Sequence, residues 1–334
     1  MSIIKIITGG SATADKLRRD QIWLAARDNA AYIALALLVA IFWTVSGDRF
    51  MSVLNWTYIA QQVPVLSILA VAETLLITAG FIDLSVGSVL GLAGFAAAAG
   101  AANYGVPGLL GGLVVAIAAG IVNGAIFSYV RIPSFIVTLG TMVIVRALLQ
   151  IASGGEAIYL SDQAGAGSVV TLLNWLGRFP GVLVAALVIW AGCWVLYNKT
   201  IFGDDLKAMG GSERVVGLFG VNLNHRRLAA FTIAGFVVGL ASIVNLARIG
   251  AATPVTGSGM ELEAISAVVL GGTPLTGGYG SIAKTVVGAT ALVVLSNGLT
   301  IAGVPPSWND VVRGLLLIVA IGIALDRKKI GTVK

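Results

Sequence analysis

The sequence is poor in the residues that do chemistry. One cysteine, Cys193, and one histidine, His225, stand in 334 residues, so neither a disulfide framework nor a Cys/His metal site can be built. Both read as structural. Only 11% of the residues are charged, and the carboxylates are scattered. No GxxxxGK(S/T) phosphate loop occurs: its nearest imitation, Gly280-Ser281-Ile282-Ala283-Lys284-Thr285, has three residues between glycine and lysine and lacks the second glycine. HExxH, CxxC and GxSxG are missing too, so no catalytic residue and no metal ligand is assigned and a catalytic reading has no candidate. The net charge of +6 does not point to nucleic acid, because the basic residues flank apolar runs and do not alternate with aromatic stacking platforms.

What is abundant is apolar length. The chain is 57% hydrophobic with a mean hydropathy of +0.96, outside the range of soluble domains. A bilayer-spanning helix needs roughly 20 apolar residues. Ten candidate segments run over 30–46, 58–80, 83–102, 107–130, 134–152, 180–198, 228–247, 260–273, 281–303 and 309–326, the eighth being short. The expectation is therefore an all-α polytopic membrane protein with some broken helices. Lys5, Lys16, Arg18, Arg19 and Arg27 precede the first segment and Arg327, Lys328, Lys329 and Lys334 follow the last. Basic residues are retained on the cytoplasmic side, so both termini are expected there. This divides the chain into an N-terminal cytoplasmic segment 1–29, a transmembrane domain 30–326 with a cytoplasmic loop at 199–227, and a tail 327–334. The outer loops carry Arg49, Arg178 and Arg248, and Trp43, Trp56 and Trp308 fall near outer boundaries, Trp23 and Trp194 near inner ones. About 29 polar and basic residues precede the first apolar run and no small-residue cleavage site follows it, so the first helix is expected to stay as an anchor.

Forty-three glycines suit membrane helices that approach closely. Ala116, Gly120 and Gly124 share a face of the fourth segment, Gly87 and Gly91 of the third, and Gly235 and Gly239 of the seventh. Close packing within one subunit is the simpler reading, a dimer face the other. Two stretches, 79–88 and 271–281, interrupt helices with glycine and polar residues, and Glu73 and Glu263 precede them at a spacing of about 190 that hints at a duplication. Asp83 and Ser85 suit a helix start. Glu73 lies inside a span, where a carboxylate is costly unless paired, neutral or hydrated, so it serves either a helix-to-helix hydrogen bond or a gate or solute contact. Asn123, Thr138, Thr141, Ser266, Asn297 and Thr300 are further intramembrane polar groups, each able to glue helices or to line a path for a hydroxylated solute.

Between Lys199 and Arg227 the apolar pattern stops for a polar island carrying five Lys and Arg. Within it, Ser212 can cap a short amphipathic helix over residues 213–219 that Gly220 ends, with Gly210-Gly211 supplying a sharp turn before it. Such a helix either slots into a groove on a partner or rests on lipid headgroups.

Several segments resemble the permease subunits of ribose-type, or monosaccharide, ABC importers. Thr78-Ala79-Gly80-Phe81-Ile82-Asp83-Leu84-Ser85-Val86-Gly87-Ser88 is similar to that family's GGIDLSVGS signature, with Phe81 in place of its second glycine. Arg131-Ile132-Pro133-Ser134-Phe135-Ile136-Val137-Thr138-Leu139-Gly140-Thr141-Met142 resembles its R-x-PSFIVTLGTM segment, and residues 261–273 with Gly277-Gly278-Tyr279-Gly280-Ser281 resemble ELdaIaAvvlGGT and GGxGS. The island resembles the loop these permeases present to their ATPase. The resemblance implies that Gly203, Ala208, Gly210, Gly211, Ser212, Glu213, Val216, Phe219, Gly220 and Val221 form a coupling element. Asp204 and the run Ser212–Val216 depart from the family pattern. It further implies import of a monosaccharide or related polyhydroxylated solute across the bacterial inner membrane, a second permease copy or paralogue, cytoplasmic ABC ATPase subunits, an extracytoplasmic sugar-binding protein docking near residues 153–180, and no cofactor on this chain, ATP and magnesium residing on the ATPase. An ABC permease for branched-chain amino acids or nucleosides, and an ion-coupled secondary transporter using Glu73, remain the alternatives.

Overall fold

The computed structural model describes residues 29–160 and 167–305, together with positions 307, 308, 311, 312, 314, 315 and 318. Nearly all of the N-terminal segment 1–29, Trp23, the tail 327–334 and most of the tenth segment lie outside the described residues. The elements are α1 (Ala30–Ser46), a short α2 (Asp48–Met51), α3 (Val53–Thr78), α4 (Val86–Tyr104), α5 (Leu110–Ala125), α6 (Ser134–Ser153), β1 (Ile158–Tyr159), α7 (Gly167–Gly177), α8 (Gly181–Lys199), α9 (Ile201–Leu218), α10 (Leu223–Ile249), β2 (Ala251–Ala252), α11 (Met260–Leu270) and α12 (Ile282–Ile301). A 3-10 turn, Val106–Leu109, leads into α5 and a π turn, Ile126–Val130, extends it. Among the described residues seven helices are long and apolar enough to cross a membrane, and the chain is an all-α polytopic membrane protein.

α3 is the hub. Every residue from Val63 to Thr78 is buried, and it packs against α8, α10, α11 and α12. Pro64 lies within it, where the ring removes one backbone donor, and Ser67 donates to the Val63 carbonyl at 2.6 Å. The small-residue faces do what their spacing suggests. A Cβ on Gly120 would stand 2.3 Å from the Phe231 carbonyl oxygen and one on Gly235 2.5 Å from that of Ala116, while one on Gly239 would meet the Leu113 side chain at 2.8 Å. α5 and α10 are thus pressed backbone to backbone, within a single subunit. Lipid is as apolar as leucine, so this association depends on close contact and not on water exclusion.

The connections gather at two ends. At one, the loop after α3 meets the start of α6, where the Ile82 N–H donates to Ser134 Oγ at 3.2 Å, and the loop before α12, where the Gly278 N–H donates to the Thr78 carbonyl at 2.8 Å. α9 belongs to this end. At the other, β1 pairs antiparallel with β2, and α7 packs with the end of α4 and with α10 around Leu160, Val169, Leu173 and Leu246. The expected loop 153–180 is therefore partly built, carrying β1 and α7.

The eighth segment is α11, whose 11 residues reach only about 16 Å, too short for a hydrocarbon layer of roughly 30 Å. It is preceded by a loop that dips toward the start of α4: a Cβ on Gly87 would stand 2.4 Å from the Gly257 carbonyl oxygen, and one on Gly91 2.4 Å from that of Thr256. Arg146 Nη1 donates to the same Thr256 carbonyl at 3.0 Å, satisfying backbone that no helix covers. The two broken-helix units touch, yet they differ in length, with 26 residues in α3 and 11 in α11.

Candidate functional site

The polar island folds as two helical halves. Thr200 opens α9, its hydroxyl accepting the Gly203 N–H at 3.3 Å. The helix then runs straight through Gly210 and Gly211 and breaks at Ser212, whose φ of −167° is extended. Ser212 Oγ accepts from the Val215 N–H at 3.4 Å, so Ser212 caps a second short turn, and Gly220, at φ +83°, ends it in the left-handed region that only glycine enters cheaply. The cap and the terminating glycine match the spacing in the sequence. The expected turn at Gly210-Gly211 does not occur.

Gly210 serves close approach instead. A Cβ there would stand 2.0 Å from the Thr78 carbonyl oxygen and 2.2 Å from the Gly278 nitrogen, whereas Gly211 faces open space. Gly203 is pressed in the same way on the Tyr197 backbone, where a Cβ would meet the carbonyl oxygen at 2.1 Å. Leu206 and Met209 are buried between them. The first half of α9 is therefore wedged into the bundle at the seam between both helix breaks. Around that seam the Tyr197 hydroxyl donates to the Gly280 carbonyl at 3.1 Å and lies 3.3 Å from Thr78 Oγ1.

The second half faces outward. Leu218 and Phe219 are 81% and 83% exposed, forming an apolar ridge, while Val216 is buried. Val216 thus belongs to the core, and Ala208, Gly211 and Ser212 lie on the exposed surface with Val221 half-buried. Glu213 accepts from Arg227 Nε at 2.9 Å and Nη2 at 2.6 Å, a two-point pair that ties this half to the start of α10. The Arg227 guanidinium also lies 4.8 Å from the centre of the Phe127 ring. Arg226 and Asp205 form a second pair at 2.7 Å. Asp204, a departure from the family pattern, pairs with Lys207 at 3.1 Å but is 74% exposed, which makes the contact weak.

Most of the intramembrane polar candidates meet one another. Asp83 Oδ1 accepts from the Ser85 N–H at 2.7 Å and from Ser85 Oγ at 2.6 Å. Asn123 Nδ2 donates to Ser85 Oγ at 3.0 Å, and Thr141 Oγ1 donates to Asn123 Oδ1 at 2.6 Å. Thr138 Oγ1 accepts the Leu84 N–H at 3.0 Å and donates to the Ile82 carbonyl at 3.2 Å. One network thus stitches the break before α4 to α5 and α6, and its hydrogen-bonding capacity is largely spent on the protein. Ser266 is buried and donates back to the Leu262 carbonyl at 2.6 Å, and Thr300 likewise bonds Ser296 within α12. Asn297 Oδ1 has no hydrogen-bond partner among the described residues. Glu73 is the exception in kind. It is fully buried and lies against Asp83, whose backbone N–H faces its carboxylate outside good hydrogen-bond geometry.

Residues that sequence reasoning passed over are Tyr197 and Thr78. A hydroxyl inside an apolar run was the available signal for each, but the two stand 119 positions apart.

The family described as branched-chain amino acid transport system / permease component matches residues 55–321, which takes in the seam, the network and the island. The chain belongs to this permease family. Among curated relatives, the Ribose import permease protein RbsC of Escherichia coli is 34% identical over 92% of this chain and 95% of that protein. The Fructose import permease protein FrcC of Rhizobium meliloti is 34% identical over 87% and 83%, and the D-allose transport system permease protein AlsC of Escherichia coli 32% identical over 89% and 90%. No solved structure matches the chain. The permease is therefore related along most of its length to proteins named for sugar import.

Proposed function

We propose that this permease is the membrane subunit of a binding-protein-dependent ABC importer that carries a monosaccharide or related polyhydroxylated solute across the bacterial inner membrane. The observation that carries the reading is the geometry of α9: an exposed Leu218–Phe219 ridge on one half, and on the other a glycine wedged into the seam where both helix breaks meet. A soluble ATPase gripping the ridge has a rigid lever onto the broken helices. Sugar is favoured over branched-chain amino acids because the relatives matched at 32–34% identity are named for ribose, fructose and D-allose.

In this reading the island and both termini lie in the cytoplasm, on the side that the flanking Lys and Arg mark, and the β1–α7 end lies outside, where a sugar-binding protein delivers its cargo. Two copies, or a paralogue pair, enclose the path. ATP and magnesium belong to the ATPase subunits. ATP binding closes that pair, the two islands move with it, and access switches from one side to the other.

The test is uptake of ribose, fructose, D-allose and leucine by proteoliposomes holding the permease with the ATPase and binding protein that occur beside it. ATP-dependent sugar uptake supports the proposal. Uptake by the permease alone that a protonophore abolishes would establish an ion-coupled carrier, and leucine uptake without sugar uptake the amino-acid alternative.

A further inference from the structure

Phe81 puts a large side chain into the first helix break. It is buried and stands where the resembled signature has glycine. Its ring centre lies 4.8 Å from that of Phe127 on the π turn and 6.2 Å from that of Phe231 on α10, and the Phe127 and Phe231 centres are 5.8 Å apart. All three separations fall in the range over which aromatic rings attract one another. Three elements distant in the chain therefore share one aromatic knot.

The knot is held on every side. Phe231 is pinned by α5, since a Cβ on Gly124 would stand 3.0 Å from the Phe231 Cβ. Phe127 lies in a π turn, a distortion that recurs at functional sites. That turn ends on Arg131, whose φ of +65° makes it the one non-glycine residue in the left-handed region among the described residues, and strain of this kind persists where the surroundings impose it. Arg227, one helical turn before Phe231, covers Phe127 at 4.8 Å while its Nε and Nη2 hold Glu213. On the far side of Phe81 come the Ile82, Leu84 and Ser85 amides, bonded to Ser134 Oγ, Thr138 Oγ1 and Asp83 Oδ1. A run of contacts through Glu213, Arg227, Phe127 and Phe81 thus joins the outer half of α9 to the start of α4, and none of it passes through the Gly210 seam.

We infer that Phe81 is a positioning residue through which the outer half of α9 sets the helix break before α4, by a side-chain route parallel to the backbone wedge at Gly210. Close-packed rings leave little slack to absorb a displacement, so a shift of Glu213 carries the break with it. Phe127 and Arg227 are the intermediate members, the one by its ring and the other by its two-point hold on Glu213. Contact alone is not coupling, and a double-mutant cycle separates the two. The part this route plays in transport rests on the proposal that α9 carries the ATPase handle; the link between Glu213 and the break does not.

The experiment follows amide hydrogen exchange over residues 82–88 in the full-length permease in lipid nanodiscs, for wild type, Glu213→Ala, Phe81→Gly and the double variant. With Phe81 present, Glu213→Ala is expected to speed exchange of that segment about fivefold, and with Phe81→Gly the same substitution should add less than about twofold, because the link is already cut. General loosening of the fold would add equally in both backgrounds. If Phe81→Gly does not fold, Phe127→Leu takes its place in the cycle with the same expectation. Equal responses in the two backgrounds, or none in either, overturn the inference. In the assembled transporter Phe81→Gly should also lower the ratio of uptake to ATP hydrolysis about fivefold, and a ratio equal to wild type overturns the part assigned to this route in transport. If the wild-type complex shows no ATP-driven uptake, the importer reading fails while the exchange cycle still decides the link.

Discussion

The two halves of α9 are built from similar residues and do opposite things. Residues 201–211 hold the chain in the bundle, with Gly203, Leu206 and Met209 buried and Gly210 against two other backbones. Residues 213–219 reach outward, with Leu218 and Phe219 among the more exposed apolar side chains of the protein. Ser212 separates them at a single extended residue. An exposed apolar pair at the end of a short helix faces either a partner or lipid headgroups, and the proposed function assigns it to a partner. Steric rigidity resides in the first half and recognition in the second, and substitutions in the two halves should fail differently.

The largest effect is expected at Gly210. Any side chain there must push apart Thr78 and Gly278, and overpacking of this kind costs about 3 kcal/mol, or about a hundredfold in the affected equilibrium. Gly210→Val should abolish uptake and lower the melting temperature in detergent, whereas Gly211→Val, one residue on and facing open space, should change neither. Next comes the ridge: Leu218→Ser with Phe219→Ser should lower uptake by about tenfold or more while stability moves by less than about 0.5 kcal/mol, as for other exposed sites. Such a split would separate anchor from handle.

Glu73→Gln replaces a fully buried carboxyl group with an amide of nearly the same shape. Uptake is expected to fall severalfold without loss of thermal stability; unchanged uptake with lower stability would make Glu73 a structural contact. Smaller still is the tie between the outer half of α9 and the start of α10. Glu213→Ala and Arg227→Ala each break the two-point pair, and a double-mutant cycle should return a coupling of about 1 kcal/mol. Asp204→Ala should be neutral within about 0.5 kcal/mol, because its ion pair is largely in water.

Much of this was legible in the sequence because it is local. Apolar length gave seven of the ten expected spans among the described residues, four-residue glycine spacing gave the close faces of α5 and α10, and Ser212 with Gly220 gave the bounds of the outer turn of α9. The rest depends on distant partners. Gly210 reads as a turn residue until Thr78 and Gly278 are placed on it. Val216 and Phe219 look equivalent on an amphipathic turn, and only the bundle decides that Val216 points inward. Asp83, Asn123, Thr138 and Thr141 could each have lined a path, and only their hydrogen bonds to Ser85, to each other and to the backbone before α4 tie those helices together.

The most direct test of the lever is the ratio of sugar uptake to ATP hydrolysis in the assembled transporter, measured for wild type and for the Leu218→Ser, Phe219→Ser double variant. The lever predicts that the ratio falls by about tenfold or more while the permease remains folded in the membrane, because the partner hydrolyses ATP without moving the wedge. A ratio equal to wild type in a correctly folded variant would contradict it.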